Sequence, residues 1–404
     1  MVSQKSDLTF KYNLKQGRHG WLRLTPAYSI KVVQNLLDRL ENPQRVLDPF
    51  SGTGTTGLVC AERGLNCDLV EVNPFLVWLA EAKTHAYNSA ELEAASKLVK
   101  KVAKQARQNP LTNNLWIPPL SNIERWWHRE RLITLANLFN GLDSYKEKVG
   151  DTPSFKLAAI AFCKVAINWS NAAFNHQSMS FKDTETLLFK WEETDLIIDD
   201  FLFQSQEFIA SARTPILSKV SFYQGDSRNV NTKLSQNYDV VITSPPYVNR
   251  MSYIREVRPY MYWLGFLKEA REAGELDWQA IGGTWGIATS RLKNWQPEEG
   301  QICEGLEDIT QTINKRSPIL ANYVRRYFSD ISTHISNLTK VLAPGAEIFY
   351  IVGNSKFYDT LVPVEQIYMK LLKQRGFKNV KSEVLRKRNS KKELYEYIIS
   401  AEWE

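Results

Sequence analysis

Val46-Leu47-Asp48-Pro49-Phe50-Ser51-Gly52-Thr53-Gly54-Thr55-Thr56-Gly57 carries the strongest structural signal in the chain. Two buried-type aliphatics end a strand and run straight into a glycine-bearing turn. A helix then starts near Thr55 and ends by Glu62, before Arg63-Gly64. Cys67-Asp68-Leu69-Val70-Glu71 follows as a second strand, closed by Asn73-Pro74. Strand, turn, helix and strand in such close succession demand a parallel pairing, because the crossover helix returns the chain to the same end of the sheet. Further along the chain, Val220-Ser221-Phe222-Tyr223 before Gly225-Asp226-Ser227 reads as a third strand and Tyr238-Asp239-Val240-Val241-Ile242 as a fourth. A fifth covers 347–352 after the turn Ala343-Pro344-Gly345-Ala346, and segments 381–385 and 394–402 read as an antiparallel hairpin.

Between the second and third strands, residues 85–215 have helical periodicity, broken at Asn109-Pro110, Pro118-Pro119 and Thr152-Pro153. They read as an inserted helical subdomain. A second insertion at 267–320 is polar and contains Ile281-Gly282-Gly283-Thr284-Trp285-Gly286. Residues 1–84 and 216–404 then form the principal domain. At 404 residues, 43% hydrophobic and 24% charged, the chain has the composition of a soluble globular protein. No apolar run reaches the length of a membrane span, and the start lacks a signal-peptide core, so a cytoplasmic location is expected. Cys60, Cys67, Cys163 and Cys303 are scattered without metal-ligand spacing, and the five histidines form no ligand pair, so no metal is expected. A net charge of +7 suits a polyanionic partner without establishing one.

The glycines Gly52 and Gly54 let backbone approach a ligand just before a helix N-terminus. No lysine follows them, which argues against a phosphate-cradling loop. Glu71, at the tip of the second strand, stands where an acidic residue accepts the two hydroxyls of a ribose. An amino-acid zwitterion on the glycine turn and a ribose on Glu71 together describe S-adenosylmethionine. The fourth strand runs into Thr243-Ser244-Pro245-Pro246-Tyr247. The prolines hold this strand end rigid and leave carbonyl acceptors without competing N–H groups beside an aromatic face. Such an edge suits a planar amino group.

Segments 48–56 and 243–247 together resemble the cofactor loop and catalytic signature of the DNA amino-methyltransferases. With Ser244 in first position the signature is most similar to the N4-cytosine branch; an Asp there would have pointed to adenine or a wider substrate set. The resemblance covers about residues 20–84 and 218–402. It implies a Rossmann-like α/β class I methyltransferase fold, with a mostly parallel seven-stranded sheet ending in an antiparallel hairpin, plus the helical insertion. It implies double-stranded DNA as partner, in the nucleoid when bound, and methyl transfer from S-adenosylmethionine to a flipped cytosine, within a restriction–modification system. Ser244 and the Pro245 carbonyl would accept from the N4 amino group, Pro246 would stiffen the turn, and Tyr247 would stack on the base. The cofactor would lie on Asp48, Pro49, Phe50, Ser51, Gly52, Thr53, Gly54, Thr55, Glu71 and Asn73. Asp226 and Ser227 would meet its adenine, and Thr25 its carboxylate. Asp226 as a plain turn residue and Thr25 as a plain helix cap are equally open readings.

Arg250, Arg255 and Arg258, on a helical stretch after the signature, are candidates for phosphate near the base. Asn354 at the fifth strand end is a candidate lining residue. Lys97, Lys100, Lys101, Lys104 and Arg107 recur at helical spacing, and Arg386-Lys387-Arg388 with Lys391-Lys392 forms a basic hairpin loop. Both can supply sequence-independent, salt-sensitive DNA affinity, although a solvated charged face is the commoner origin of the helical stripe. The cofactor loop precedes the catalytic tetrapeptide here, whereas many N4-cytosine enzymes have the reverse order. The recognition region is therefore sought in 85–215 and 267–320, including the polar segment from Asn168-Trp169-Ser170-Asn171 through His176-Gln177-Ser178, for which a plain polar loop between helices is the commoner reading. Competing readings are adenine N6 methylation, base methylation of structured RNA, whose enzymes usually carry Asn or Asp before Pro-Pro, and a non-catalytic binding module on the same fold. Target sequence and oligomeric state stay open.

Overall fold

The structure, a computed structural model, describes residues 6–24, 27–108, 110–111, 115–173, 180–181, 193–235, 237–296, 300–388 and 393–404. Seven strands make one sheet: β1 (Arg45–Asp48), β2 (Asn66–Glu71), β3 (Val220–Gln224), β4 (Tyr238–Thr243), β5 (Leu342–Gly353), β6 (Lys378–Lys387) and β7 (Tyr395–Glu402). Their order across the sheet is β3-β2-β1-β4-β5-β7-β6. The first five are parallel; β7 pairs antiparallel with both β5 and β6. This is a Rossmann-like, mostly parallel sheet ending in an antiparallel hairpin, as expected from the sequence. All seven strands fall where hydrophobic runs and turn residues placed them. β5 begins earlier than expected: Pro344-Gly345 lies within it as an irregularity that shifts its register on β4 between Tyr238 and Val240.

The chain reverses direction across the sheet between β1 and β4. Val46 pairs with Val240 and Leu47 with Val241, so the two strands end level. The turns after Asp48 and after Thr243 consequently open at one carboxyl edge, where ligands bind open α/β sheets. Both strands are buried on two faces, which explains their unbroken aliphatic runs. Helix α1 (Ile30–Leu37) is capped by Ser29, α2 (Thr55–Glu62) starts from Gly54, and α3 (Pro74–Thr84) is capped by Asn73 with Pro74 in its first turn.

Between β2 and β3 lie α4 (Ser89–Gln108), α5 (Arg129–Val149), α6 (Pro153–Asn168) and α7 (Glu193–Ser211). On α4 the buried residues Leu92, Ala95, Val99, Val102 and Ala106 form one stripe, and Lys97, Lys100, Lys101, Lys104 and Arg107 form the exposed one. The insertion shares its core with α3 and with α8 (Tyr253–Trp263): Trp263 packs edge-on or tilted against Trp127, Phe139 and Phe162. Arg18 ties its two ends together. The buried guanidinium donates to the carbonyls of Lys83 (3.0 Å) and His85 (2.6 Å) where the chain leaves the sheet. It also donates to Ala212 and Thr214 (2.8 Å) where the chain returns. After β4 come α8, α9 (Ala270–Gln279), α10 (Ile287–Asn294), α11 (Leu306–Asn314) and α12 (Pro318–Leu338), and α13 (Val364–Gln374) joins β5 to β6. No helix among the described residues is long and apolar enough to cross a membrane.

Candidate active site at the carboxyl edge of the sheet

The turn after β1 is a rigid cradle. Gly54 adopts φ +75°, and a Cβ there would sit 2.7 Å from the Ala80 side chain, so only glycine lets α3 pack this close. Gly52, at φ +50°, has nothing within 4 Å of an added Cβ and faces open space. Its N–H donates to Glu71 Oε2 at 2.9 Å, and the Ser51 N–H to the Val70 carbonyl at 3.1 Å. Beneath the turn the buried Lys83 ammonium donates to the Thr53 carbonyl at 2.9 Å. Burial lowers the Lys83 pKa to about 7.

This turn borders a cleft of about 860 Å³, open solvent included. Pro49, Phe50, Ser51, Gly52, Thr53 and Thr55 line one side, and Glu71 and Asn73 extend it along β2. Glu71 accepts from the N–H groups of Gly52 and Asn73, each at 2.9 Å, which leaves each carboxylate oxygen a further lone pair. Burial raises its pKa to about 7 against these two bonds. Asn73 uses its side-chain oxygen to cap α3 at Phe75 N–H (3.0 Å).

Asp48 and Gly54 do not line the cleft. Asp48 is fully buried beneath it, accepting from Thr243 (2.6 Å), Thr56 (2.5 Å), the Phe50 N–H (3.1 Å) and the Tyr28 hydroxyl (3.3 Å). Burial raises the Asp48 pKa, and the bonds from Thr243 and Thr56 oppose that rise. Thr25 lies outside the described residues; α1 takes its cap from Ser29, and the neighbours Leu24, Ala27 and Tyr28 border the cleft.

At the far end Asp226 and Ser227 border the cleft, but the Asp226 carboxylate is already engaged. It accepts from Arg228 N–H (2.9 Å) and from Arg228 Nε and Nη2 (2.6–3.0 Å). The turn role and an ion pair therefore coexist with a place in the wall. Arg228 also reaches Asp330 (2.8 Å) and the Gln279 carbonyl (2.8 Å). Through that last bond the second insertion enters the site: Gln279, Ala280 and Ile281 form part of the cleft wall. The Ser227 carbonyl accepts from His334 Nδ1–H (2.9 Å), and burial lowers the His334 pKa to about 4, so the ring is neutral and takes a hydrogen bond from Tyr350 at Nε2 (2.8 Å).

Ser244 and Pro246 line the same cleft as Gly52 and Glu71. The Ser244 hydroxyl donates to the Ile351 carbonyl on β5 at 3.1 Å. With its hydrogen committed there, the oxygen presents lone pairs elsewhere. Tyr327 donates to the Pro246 carbonyl at 2.8 Å, while among the described residues no protein donor meets the Pro245 carbonyl. Pro245 is buried, and Pro245 and Tyr247 stand behind the wall rather than in it. The Tyr247 N–H donates to the Tyr253 hydroxyl at 3.1 Å. Its ring lies so close to Gly353 that a Cβ there would be 2.9–3.0 Å from two ring carbons. The Arg388 guanidinium covers the ring at 5.5 Å from its centroid. Burial raises the Tyr247 pKa well above the usual phenol value, so the group stays protonated.

Several expected roles change. Asn354 is not in the cleft wall; it clamps the hairpin, donating to the Glu393 carbonyl and accepting from Tyr395 N–H, while its own carbonyl takes Arg388 Nη1 (2.9 Å). Arg386 is not in a loop. It is on β6, paired with Glu396 on β7 through both carboxylate oxygens (2.6 and 2.5 Å). Lys391 and Lys392 lie outside the described residues. Lys97, Lys101 and Lys104 are exposed on the outer face of α4, away from the cleft wall, with Lys97 bonded to Glu93 at 2.7 Å. Arg250 is exposed at φ +61°, its N–H held by the Tyr323 hydroxyl. Asn171 is buried and bonded to the Arg125 carbonyl, while His176, Gln177 and Ser178 of the same polar segment lie outside the described residues. The site residues missed from sequence are Tyr253, Tyr28, Gln279, Gly353 and Arg228. Arg228 carried a signal, standing two residues beyond Asp226 in a turn; Gln279 carried none.

No family model matches the chain. It is 23% identical over 96% of its length to "Type II methyltransferase M.BsoBI" of Geobacillus stearothermophilus, covering 85% of that protein. It is 22% identical over 94% of its length to "Type II methyltransferase M.AvaI" of Nostoc sp., covering 83% of it. "Type II methyltransferase M.MvaI" of Kocuria varians is 22% identical over 82% of this chain and 74% of its own length. Among solved structures, the rRNA methyltransferase aviRa from Streptomyces viridochromogenes covers 97% of this chain and 92% of its own at 11% identity, with a TM-score of 0.31. That score is too low to bear on function.

Proposed function

We propose that this chain is a DNA methyltransferase that uses S-adenosylmethionine to methylate the N4 amino group of a cytosine flipped out of duplex DNA, as the modifying half of a restriction–modification system. The observation that carries the proposal is the sharing of one cleft wall by Ser244, Pro246, Gly52 and Glu71. Likeness to Type II methyltransferases over nearly the whole chain supports it.

The residues fit the donor. The free lone pairs on Glu71 suit a ribose diol, Gly52 leaves room for a ligand over the turn, and Phe50, Ile281 and Leu76 give the apolar walls an adenine needs. When bound, S-adenosylmethionine supplies an electrophilic methyl group. The protein's part is positioning. Ser244 Oγ, its hydrogen held by Ile351, accepts from the target amino group, and the Pro245 carbonyl is the second acceptor. Together they turn the nitrogen lone pair out of the base plane and toward the cleft. Tyr247, which stands behind the wall between Gly353 and Arg388, would hold the base plane once an entering base displaces Arg388 from its ring. Both prolines keep the acceptors fixed, so little reorganisation is needed at the moment of transfer.

The test is incubation of the protein with duplex DNA and methyl-labelled S-adenosylmethionine, then digestion to nucleosides. Label in N4-methylcytosine is expected. Label confined to N6-methyladenine or to RNA overturns the cytosine assignment, and no label in any nucleic acid favours a binding module.

A further inference from the structure

We infer that Arg255 and Arg258 form a phosphodiester clamp at the seam between the two insertions, gripping the DNA backbone next to the catalytic turn. The inference rests on the DNA methyltransferase reading and names where the duplex is held.

The two arginines stand three apart on α8, so they share one face of the helix. That helix is anchored to the catalytic turn: Tyr253, in its first turn, accepts the Tyr247 N–H, and Ser252 caps it by accepting the Arg255 N–H at 3.1 Å. Ser252 in turn donates to the buried Asp277 of the second insertion at 2.5 Å. The Arg258 guanidinium lies 5.5 Å from the ring of Trp126 and 4.9 Å from that of Trp285. Trp126 belongs to the first insertion and Trp285 to the second. One cation thus joins both to the catalytic segment.

Their surroundings differ from those of the other arginines. Arg107, Arg131, Arg228, Arg291, Arg325 and Arg386 each bond a carboxylate. Among the described residues no carboxylate bonds Arg255 or Arg258, and each Nε is shielded from water without an acceptor. Burial, and then the neighbouring Arg255, lowers the Arg258 pKa. Two adjacent cations with stranded donors are costly in a free protein. An anion with several oxygens removes that cost, accepting from both guanidinium forks, and phosphate is the group whose geometry matches them. The two indoles hold the Arg258 plane, so little side-chain freedom is lost on binding. Neither arginine borders the cofactor cleft, so the anion is not part of the methyl donor.

The experiment measures binding of a fluorescent mixed-sequence duplex to the full-length protein across a KCl series, by anisotropy. The slope of log K against log[KCl] is expected to fall by about one for Arg255→Gln, about one for Arg258→Gln and about two for the double variant. Lys378→Gln, at the opposite edge of the sheet, is expected to keep the wild-type slope. Binding of a cofactor analogue is expected to be unchanged in all of them. Arg258→Gln also removes packing between two indoles, so Arg255→Gln, which removes no described side-chain bond, keeps the test valid if the former fails to fold. An unchanged slope in folded Arg255→Gln overturns the clamp. Wild-type methylation of duplex DNA, read separately, decides the underlying reading, so a clamp that fails in an active enzyme is recognised as its own failure. A slope change seen only with structured RNA, or only with an acidic protein, overturns the assignment to DNA.

Discussion

Thr243 donates to Asp48 Oδ1 at 2.6 Å, joining the last residue of β4 to the last residue of β1. Ser244 starts one turn and Pro49 the other, so one buried bond sets the spacing of both. Thr243→Val keeps the side-chain shape and deletes the donor. The expected loss of stability is about 1–3 kcal/mol, because a buried carboxylate oxygen forfeits its shortest partner. Thr243→Ser should keep most of that stability. Urea unfolding checks this; a valine variant as stable as wild type would show that the bond is not what holds the two turns in register.

Ser244→Ala is expected to lower label incorporation by at least about a hundredfold, with cofactor-analogue binding by calorimetry changed less than about threefold. Tyr247→Ala should behave similarly. Tyr247→Phe should retain most of the activity, since the phenol stays protonated and the ring face is what matters. Phenylalanine failing as badly as alanine would assign the work to the hydroxyl instead.

Gly353→Ala places a methyl 2.9–3.0 Å from two Tyr247 ring carbons, and the ring must tilt or move. Turnover is expected to drop at least about tenfold while cofactor binding persists, since ligand positioning errors of this size are costly. A crystal structure or steady-state assay decides it. Full activity would mean that the ring does not set the plane of the base.

Glu71 has its pKa raised to about 7 in the free cleft. A ribose diol donating to the carboxylate favours the ionised form, so affinity for S-adenosylmethionine should rise with pH through about 7 and level off above it. Binding near pH 6.5 should release a proton, visible as a buffer-dependent calorimetric enthalpy. The sign for stability is opposite. The folded free protein holds this proton more tightly than the unfolded chain, so the contribution is complete below about 4.5 and lost as pH rises through about 7. Glu71→Gln should abolish both dependences. Equal affinity of wild type at pH 6 and pH 8 would contradict the diol role.

Much of this was legible in the chain. β1, its glycine turn, α2 and β2 are close in sequence, and local signals determine them: two-face burial for the strands, positive-φ glycines for the turn, Asn73-Pro74 for the next helix start. The coincidence of Ser244 with Gly52 followed from parallel strands ending level. What was not legible depends on side chains meeting from distant segments. Arg386 reads as a loop cation until the β6–β7 register sets it opposite Glu396. Asn354 reads as a pocket residue until the hairpin claims its amide. Gln279 reaches the cleft only because α9 folds back over Arg228, a contact across 51 residues of sequence.

Arg18 has a consequence for how such a chain is assembled. Its one guanidinium touches carbonyls on both sides of the first insertion, so the insertion leaves and re-enters the scaffold at nearly one point. Segment 86–211 is in that sense a long excursion from a short gap, and a few residues would bridge the gap without straining β2 or β3. What a bridge would not replace is the apolar counterface on α3 and α8, which Trp78 and Trp263 present to the insertion. Grafting a foreign segment here is therefore a problem of matching one buried surface rather than of closing the chain. Natural exchange of this segment between related chains would be filtered by the same surface.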